Sequence, residues 1–234
     1  MSEVIFGVRP VIEALRSKRR EVFEILDSSG DKEVLRLARE KGVSVKKVSR
    51  KDVDDVASGV HQGIAVKVAG YPYVSLGEIL NGSEPLVVVL DGVTDPHNLG
   101  AVLRVADGAG VSGVVIPKDR SAHVNATVVK ASAGASEHVR VARVTNLRRA
   151  VDEMKDAGIW TYAAEGGSKV SHTALDLGGG VGLVFGSEGK GVRRLVREGC
   201  DGTVSIPMLG AVSSLNVSVS AAVLLYEARR QRGF

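Results

Sequence analysis

Three glycine-rich or polar stretches hold the residues best suited to chemistry. The first, Leu90-Asp91-Gly92-Val93-Thr94-Asp95-Pro96-His97-Asn98-Leu99-Gly100, follows a run of branched apolar residues. Asn98 is a candidate N-cap there, and a helix start exposes free N–H groups suited to an anion. Arg104 follows between Leu103 and Val105, inside an otherwise apolar helical stretch. A guanidinium stays charged, so at such a position it calls for an anion, either a structural carboxylate or a substrate phosphate. The second stretch, Phe185-Gly186-Ser187-Glu188-Gly189-Lys190-Gly191, sets three glycines around a carboxylate. Glycine permits close backbone approach and positive φ, so the segment reads either as a ligand loop or as a tight turn with Glu188 in solvent. It lacks the Lys-Ser/Thr pair of a nucleotide P-loop. The third runs from Ile206-Pro207-Met208 to Ser213-Ser214-Leu215-Asn216-Val217-Ser218, with a helix expected to begin under Ser213 or Ser214. Ser214 and Asn216 are there candidates to hold a ribose or a phosphate.

Alternating strand and helix patterns position these loops. Period-2 and period-3.6 runs predict strands over 4–6, 22–26, 43–48 and 63–68, with helices over 9–16, 32–41 and 51–57. These 69 residues form a small α/β sandwich, and Gly70-Tyr71-Pro72-Tyr73 opens a connector to about residue 83, with one helical turn over 76–80. Residues 84–234 then read as a parallel α/β domain: the continuous branched run 86–90 marks a strand covered on both faces, and strand and helix alternate to a final helix over 215–231. In such a sheet, ligands sit where strand C-termini meet loops. Small residues Ser218, Ala221 and Ala222 recur at helical spacing, so a backbone or a second subunit can come close.

Composition narrows the class. Hydrophobic residues at 44% and charged residues at 25% describe a globular chain with a core. No 18-residue window is free of polar interruption, no signal peptide is visible, and the lone Cys200 fits a reducing compartment, so a cytoplasmic protein is expected. A net charge of +4 permits nucleic-acid binding without demanding it. The clusters Lys18-Arg19-Arg20 and Lys46-Lys47 with Arg50-Lys51 are RNA contacts or simply solvated faces. Twenty-eight glycines beside 4% aromatics favour a site built from backbone over an aromatic stacking platform. The five histidines show neither HExxH nor zinc spacing, so no metal is expected, and no GxSxG elbow is present. His61, ahead of a strand, reads as a structural or surface residue rather than as an RNA contact.

Taken in order, Asn98-x-Gly100-x-x-x-Arg104, Phe185-Gly186-Ser187-Glu188-Gly189-x-Gly191, and Ile206-Pro207-Met208 leading to Ser214-Leu215-Asn216-Val217-Ser218 resemble the three motifs of the SpoU (TrmH-type) RNA ribose 2'-O-methyltransferases. Gly7, the Val11-Ile12-Glu13-Ala14-Leu15 helix and Val60-His61-Gln62-Gly63-Ile64 resemble the ribosomal-protein-L30e-like substrate-binding domain of that family. The resemblance implies a SPOUT-type α/β fold with a C-terminal trefoil knot, a homodimer, and S-adenosyl-L-methionine (AdoMet) held by Gly186, Ile206 and Leu215. It implies catalytic and RNA-positioning roles for Asn98, Arg104, Glu188, Ser214 and Asn216, and a guanosine of 23S rRNA as the target. A tRNA or rRNA-adenosine ribose methyltransferase stays open, as does a catalytically silent RNA-binding protein on the same scaffold.

Overall fold

The computed structural model describes residues 2–233. In chain order its first elements are β1 (Ser2–Phe6), α1 (Val8–Ser17), β2 (Val22–Asp27), α2 (Lys32–Lys41), β3 (Ser44–Lys47), α3 (Arg50–Asp54), β4 (Ile64–Ala69) and α4 (Leu76–Leu80). There follow β5 (Leu86–Asp91), α5 (Pro96–Gly108), β6 (Gly113–Pro117), α6 (Ala126–Ala131), β7 (Val141–Val144) and α7 (Leu147–Asp156). The last are β8 (Trp160–Ala164), β9 (Val181–Gly186), α8 (Arg194–Arg197), β10 (Gly202–Val204) and α9 (Val217–Arg232). They divide into two compact units: residues 1–72 with 123–138, and 73–122 with 139–234.

The first unit is a four-stranded sheet ordered β1-β4-β2-β3, with β4 antiparallel to both neighbours and β2–β3 parallel. Helix α1 buries Val11, Ile12, Ala14 and Leu15. Helix α2 starts where Asp31 accepts the Glu33 and Val34 N–H groups and stops at Gly42, whose φ of 66° glycine adopts without strain. Residues 123–138, expected within the second domain, pack here instead: α6 lies against β1 and α1. Arg20 holds Glu137 through two hydrogen bonds of 2.9 and 2.5 Å, with both side chains 1% exposed, and the Tyr71 hydroxyl donates to Ser136 O at 2.9 Å. Arg20 is therefore no RNA contact; a guanidinium this buried persists only because a carboxylate answers it. His61 is also buried, with Nε2 2.7 Å from Asp54 while Nδ1 accepts the Gly63 N–H at 3.0 Å. That arrangement places the ring proton on Nε2 and gives His61 a structural task.

The second unit is a six-stranded parallel sheet ordered β10-β8-β9-β5-β6-β7. Strands β5 and β6 are buried throughout, as their unbroken branched runs require of strands covered on both faces. The connector is ordered: Val74 bridges to Ala142, and Ser75 and Glu78 form a capping box that starts α4. Helices α5 and α9 pack side by side and parallel, with Asn98 near Asn216 at one end and Gly108 beside the Tyr226 hydroxyl at the other. Arg229 donates to Ala109 O and Gly110 O, placing a cation at the negative end of α5. Ala221 is fully buried within its own chain and Ser218 serves the start of α9, so most of the small-residue stripe is spent on intrachain packing.

Candidate active site

The site lies at the C-terminal ends of β5 and β9, where the strand order reverses: β6 and β7 continue on one side of β5, and β9, β8 and β10 on the other. Open α/β sheets leave a crevice at such a point. Asp91 ends β5 directly opposite Gly186 at the end of β9. The Asp91 carboxylate, fully buried, accepts Arg193 N at 2.7 Å and Arg193 Nε at 2.6 Å. This clasp ties down the far end of the 187–193 loop. Inside the loop Ser187 bridges to Gly191, whose N–H donates to Ser187 O at 2.9 Å. The turn folds so closely that a Cβ on Gly186 would sit 1.9 Å from the Gly191 carbonyl carbon. Here glycine is required by close backbone approach.

Two helix starts differ from expectation. Helix α5 begins at Pro96 with Asp95 as N-cap, accepting His97 N at 2.9 Å. Proline at N1 has its φ preset and no N–H to satisfy, so Asp95-Pro96 outcompetes Asn98 as a start and leaves the Asn98 amide free. Helix α9 begins not under Ser213 or Ser214 but under Asn216, whose Oδ1 accepts Ser218 N at 2.9 Å and Ser218 Oγ at 2.7 Å.

These two amides meet over a third residue. Asn98 Nδ2 donates to Glu188 Oε1 at 3.0 Å, Asn216 Nδ2 donates to the same oxygen at 2.8 Å, and Asn216 Nδ2 also reaches Asn98 Oδ1 at 2.9 Å. One residue from each motif thus closes a triangle, and Glu188 is held by α5 and α9 rather than left in solvent. Arg104 stands apart. It is exposed on α5, and among the described residues no carboxylate or hydrogen-bond acceptor pairs with it. The structural carboxylate left open for it is not found among the described residues; Glu188 instead takes its hydrogen bonds from Asn98 and Asn216.

Beside the triangle opens a cleft of about 690 Å³. Gly186, Ile206 and Leu215 all line it, as do Glu188 and Ser214; Asn98, Arg104 and Asn216 do not. Its apolar wall comes from Val204, Ile206, Leu215 and Leu224. A further wall was not anticipated: Glu165, Gly166 and Gly167 follow β8, and Arg197 bonds Glu165 at 2.5 Å. An acid followed by two glycines at a strand end was the available signal, as was the terminal Asp91 of a wholly buried strand. Among the described residues no group of three or more His, Cys, Asp or Glu could hold a metal ion.

This geometry has close relatives. Residues 85–226 match the SpoU rRNA Methylase family, and residues 4–74 match the family described as RNA 2'-O ribose methyltransferase substrate binding. The 23S rRNA (guanosine-2'-O-)-methyltransferase RlmB of Xanthomonas campestris is 46% identical over 239 residues, covering 97% of this chain and 96% of its own. The SpoU methyltransferase AviRb of Streptomyces viridochromogenes, solved with AdoMet, superposes with a TM-score of 0.86 at 26% identity, covering 99% of this chain and 90% of that one. The A. aeolicus TrmH/SpoU tRNA modifying enzyme reaches a TM-score of 0.59 at 33% identity, covering 67% of this chain and 80% of that one. With the catalytic-domain match spanning more than half of its length and full-length relatives above 40% identity, the chain belongs to the SpoU RNA methylase family.

Proposed function

We propose that this protein transfers a methyl group from AdoMet to the ribose 2'-hydroxyl of a guanosine in 23S rRNA. The observation that carries this reading is the Asn98–Glu188–Asn216 triangle at the edge of the cleft, which joins all three motifs. The cleft suits the cofactor: about 690 Å³ falls within the usual range of roughly 300–1,000 Å³ for small-molecule sites. Ile206 and Leu215 would supply apolar walls for an adenine, and Gly186, at the cleft lining, would offer it backbone groups. Bound there, AdoMet supplies an electrophilic sulfonium methyl.

The remaining tasks fall to the chain's own groups. A ribose hydroxyl is a poor nucleophile, so it must be aligned and its developing charge stabilised. Arg104, exposed and without an ion-pair partner among the described residues, has its charge available for a phosphate or an incipient alkoxide. A guanidinium pKa above about 12 suits it to electrostatic stabilisation better than to accepting a proton. Ser214, at the cleft wall, offers a hydroxyl to the ribose or its phosphate. Asn98 and Asn216 hold the Glu188 carboxylate in place and so set the shape of the catalytic loop.

The first unit, residues 1–72 with 123–138, is assigned the task of holding the RNA. The rRNA assignment draws support from coverage: the RlmB relative spans 97% of this chain, the tRNA modifying enzyme 67%. The reading further includes a trefoil knot in the C-terminal part, a homodimer that uses the exposed Val219 and Tyr226 of α9, and a cytoplasmic location. Among the described residues no helix is long and apolar enough to cross a membrane. The test is tritium transfer from labelled AdoMet to 23S rRNA, with the 2'-O-methyl position mapped. Label on one guanosine of 23S rRNA supports the assignment; label on tRNA alone, or on no RNA, overturns it.

A further inference from the structure

Loop 118–122 leaves the C-terminal end of β6, the strand next to β5, and so emerges at the sheet edge that carries the site. It is fastened to the first site loop. Val93 O accepts Ala122 N at 2.8 Å and Ser121 Oγ at 3.2 Å, and Val93 itself is 4% exposed. Two residues further on, Asp95 caps α5 and thereby sets Asn98. The base of the loop is therefore fixed relative to the Asn98–Glu188–Asn216 triangle.

Its tip is basic and unsatisfied. Lys118 and Arg120 are exposed, and among the described residues neither side chain has an ion-pair or hydrogen-bond partner; Asp119 between them pairs with neither. Arg104 of this unit shares that state, whereas Arg148 pairs with Asp152, Arg194 with Glu198 and Arg197 with Glu165. Arg120 also has a φ of 55°, in the left-handed region that glycine enters freely and that an L side chain enters against steric resistance. A glycine would fit the turn better. A long cation placed there instead, with no ion-pair or hydrogen-bond partner among the described residues, has a use outside the chain, because local strain persists where function requires the residue.

We propose that Arg120, with Lys118 beside it, is a positioning residue that grips an RNA backbone phosphate next to the ribose being methylated. This rests on the RNA methyltransferase reading above. A planar guanidinium matches a phosphate through two parallel hydrogen bonds, and the rigid loop base converts that grip into alignment of the neighbouring nucleotide.

The test measures tritium transfer from AdoMet to a 23S rRNA transcript by wild-type protein and by Arg120→Gly, Arg120→Ala and Arg120→Lys. Arg120→Gly relieves the left-handed strain, so it should melt at or above the wild-type temperature while KM for the transcript rises about tenfold. The slope of log affinity against log salt should fall by about one unit, the signature of one lost phosphate contact. AdoMet affinity should not change, and Arg120→Lys should restore the salt slope by restoring the charge while recovering only part of the KM effect, because it lacks the planar fork. A stable Arg120→Gly protein with wild-type KM and salt slope overturns this inference and leaves the methyltransferase reading standing. A wild-type protein that transfers no methyl overturns that reading and the inference with it.

Discussion

Asn216 Nδ2 donates to Asn98 Oδ1 across 2.9 Å, although 118 residues separate the two in the chain. The contact joins the first turn of α5 to the N-cap of α9, and both amides then converge on Glu188 Oε1. Asn216 thus has two tasks, capping a helix with its oxygen and holding a carboxylate with its nitrogen.

Those tasks separate by substitution. Asn216→Ser keeps a good N-cap but deletes the amide donor, so it should melt within about 0.5 kcal/mol of wild type. Methyl transfer should nevertheless fall by roughly 10², as for loss of one preorganised polar contact. Asn216→Ala should lose both, with about 1 kcal/mol less stability. Paired thermal melts and turnover measurements check this; full activity in a folded Asn216→Ser protein contradicts it.

Arg104→Ala should severely slow turnover without disturbing the fold. The side chain is exposed and has no ion-pair partner among the described residues, so stability should change by less than about 0.5 kcal/mol. Methyl transfer should drop roughly 10²–10³, and Arg104→Lys should remain severely impaired because it loses the planar fork. Calorimetric titration should give near-wild-type AdoMet affinity for both variants. A melted Arg104→Ala protein would point to a structural role instead.

Gly186→Ala should damage the loop proposed to hold AdoMet. The added methyl lies 1.9 Å from the Gly191 carbonyl carbon, so backbone must move, at a cost of about 1–3 kcal/mol or more. Gly189→Ala is the control: φ is 80° but nothing lies within 4 Å, so only the conformational cost of about 1 kcal/mol applies. AdoMet affinity should fall much further for Gly186→Ala than for Gly189→Ala. Equal losses would show that the close approach to Gly191 does not matter.

Arg20→Ala should be among the most destabilising single changes in the first unit. It strands the Glu137 carboxylate, 1% exposed, and the expected loss is about 3–5 kcal/mol. Replacing both partners, as Arg20→Met with Glu137→Leu, should recover most of that loss. Urea unfolding provides the measurement, and a single-variant loss below about 1 kcal/mol would mean that the pair is dispensable.

Much of the architecture was legible in the chain because periodicity reports which way a side chain faces. The unbroken branched residues of β5 and β6 announced strands covered on both faces of a parallel sheet, and the glycines around Glu188 marked a loop where backbone comes close. Periodicity does not report partners. Arg20 looked like its neighbours Lys18 and Arg19, and only the fold brings it to Glu137, 117 residues away. The same holds for Asp91 and Arg193, 102 residues apart, and for residues 123–138, whose helical pattern carried no sign of which unit they would cover. The helix starts were misplaced for a smaller reason: Asp95, Asn98, Ser214 and Asn216 are all good caps, and a proline and a second polar contact chose among them. Local stereochemistry wrote the strands, helices and turns into the sequence. Which distant side chains meet was decided in three dimensions, where burial leaves a charge or an amide stable only beside a partner that satisfies it.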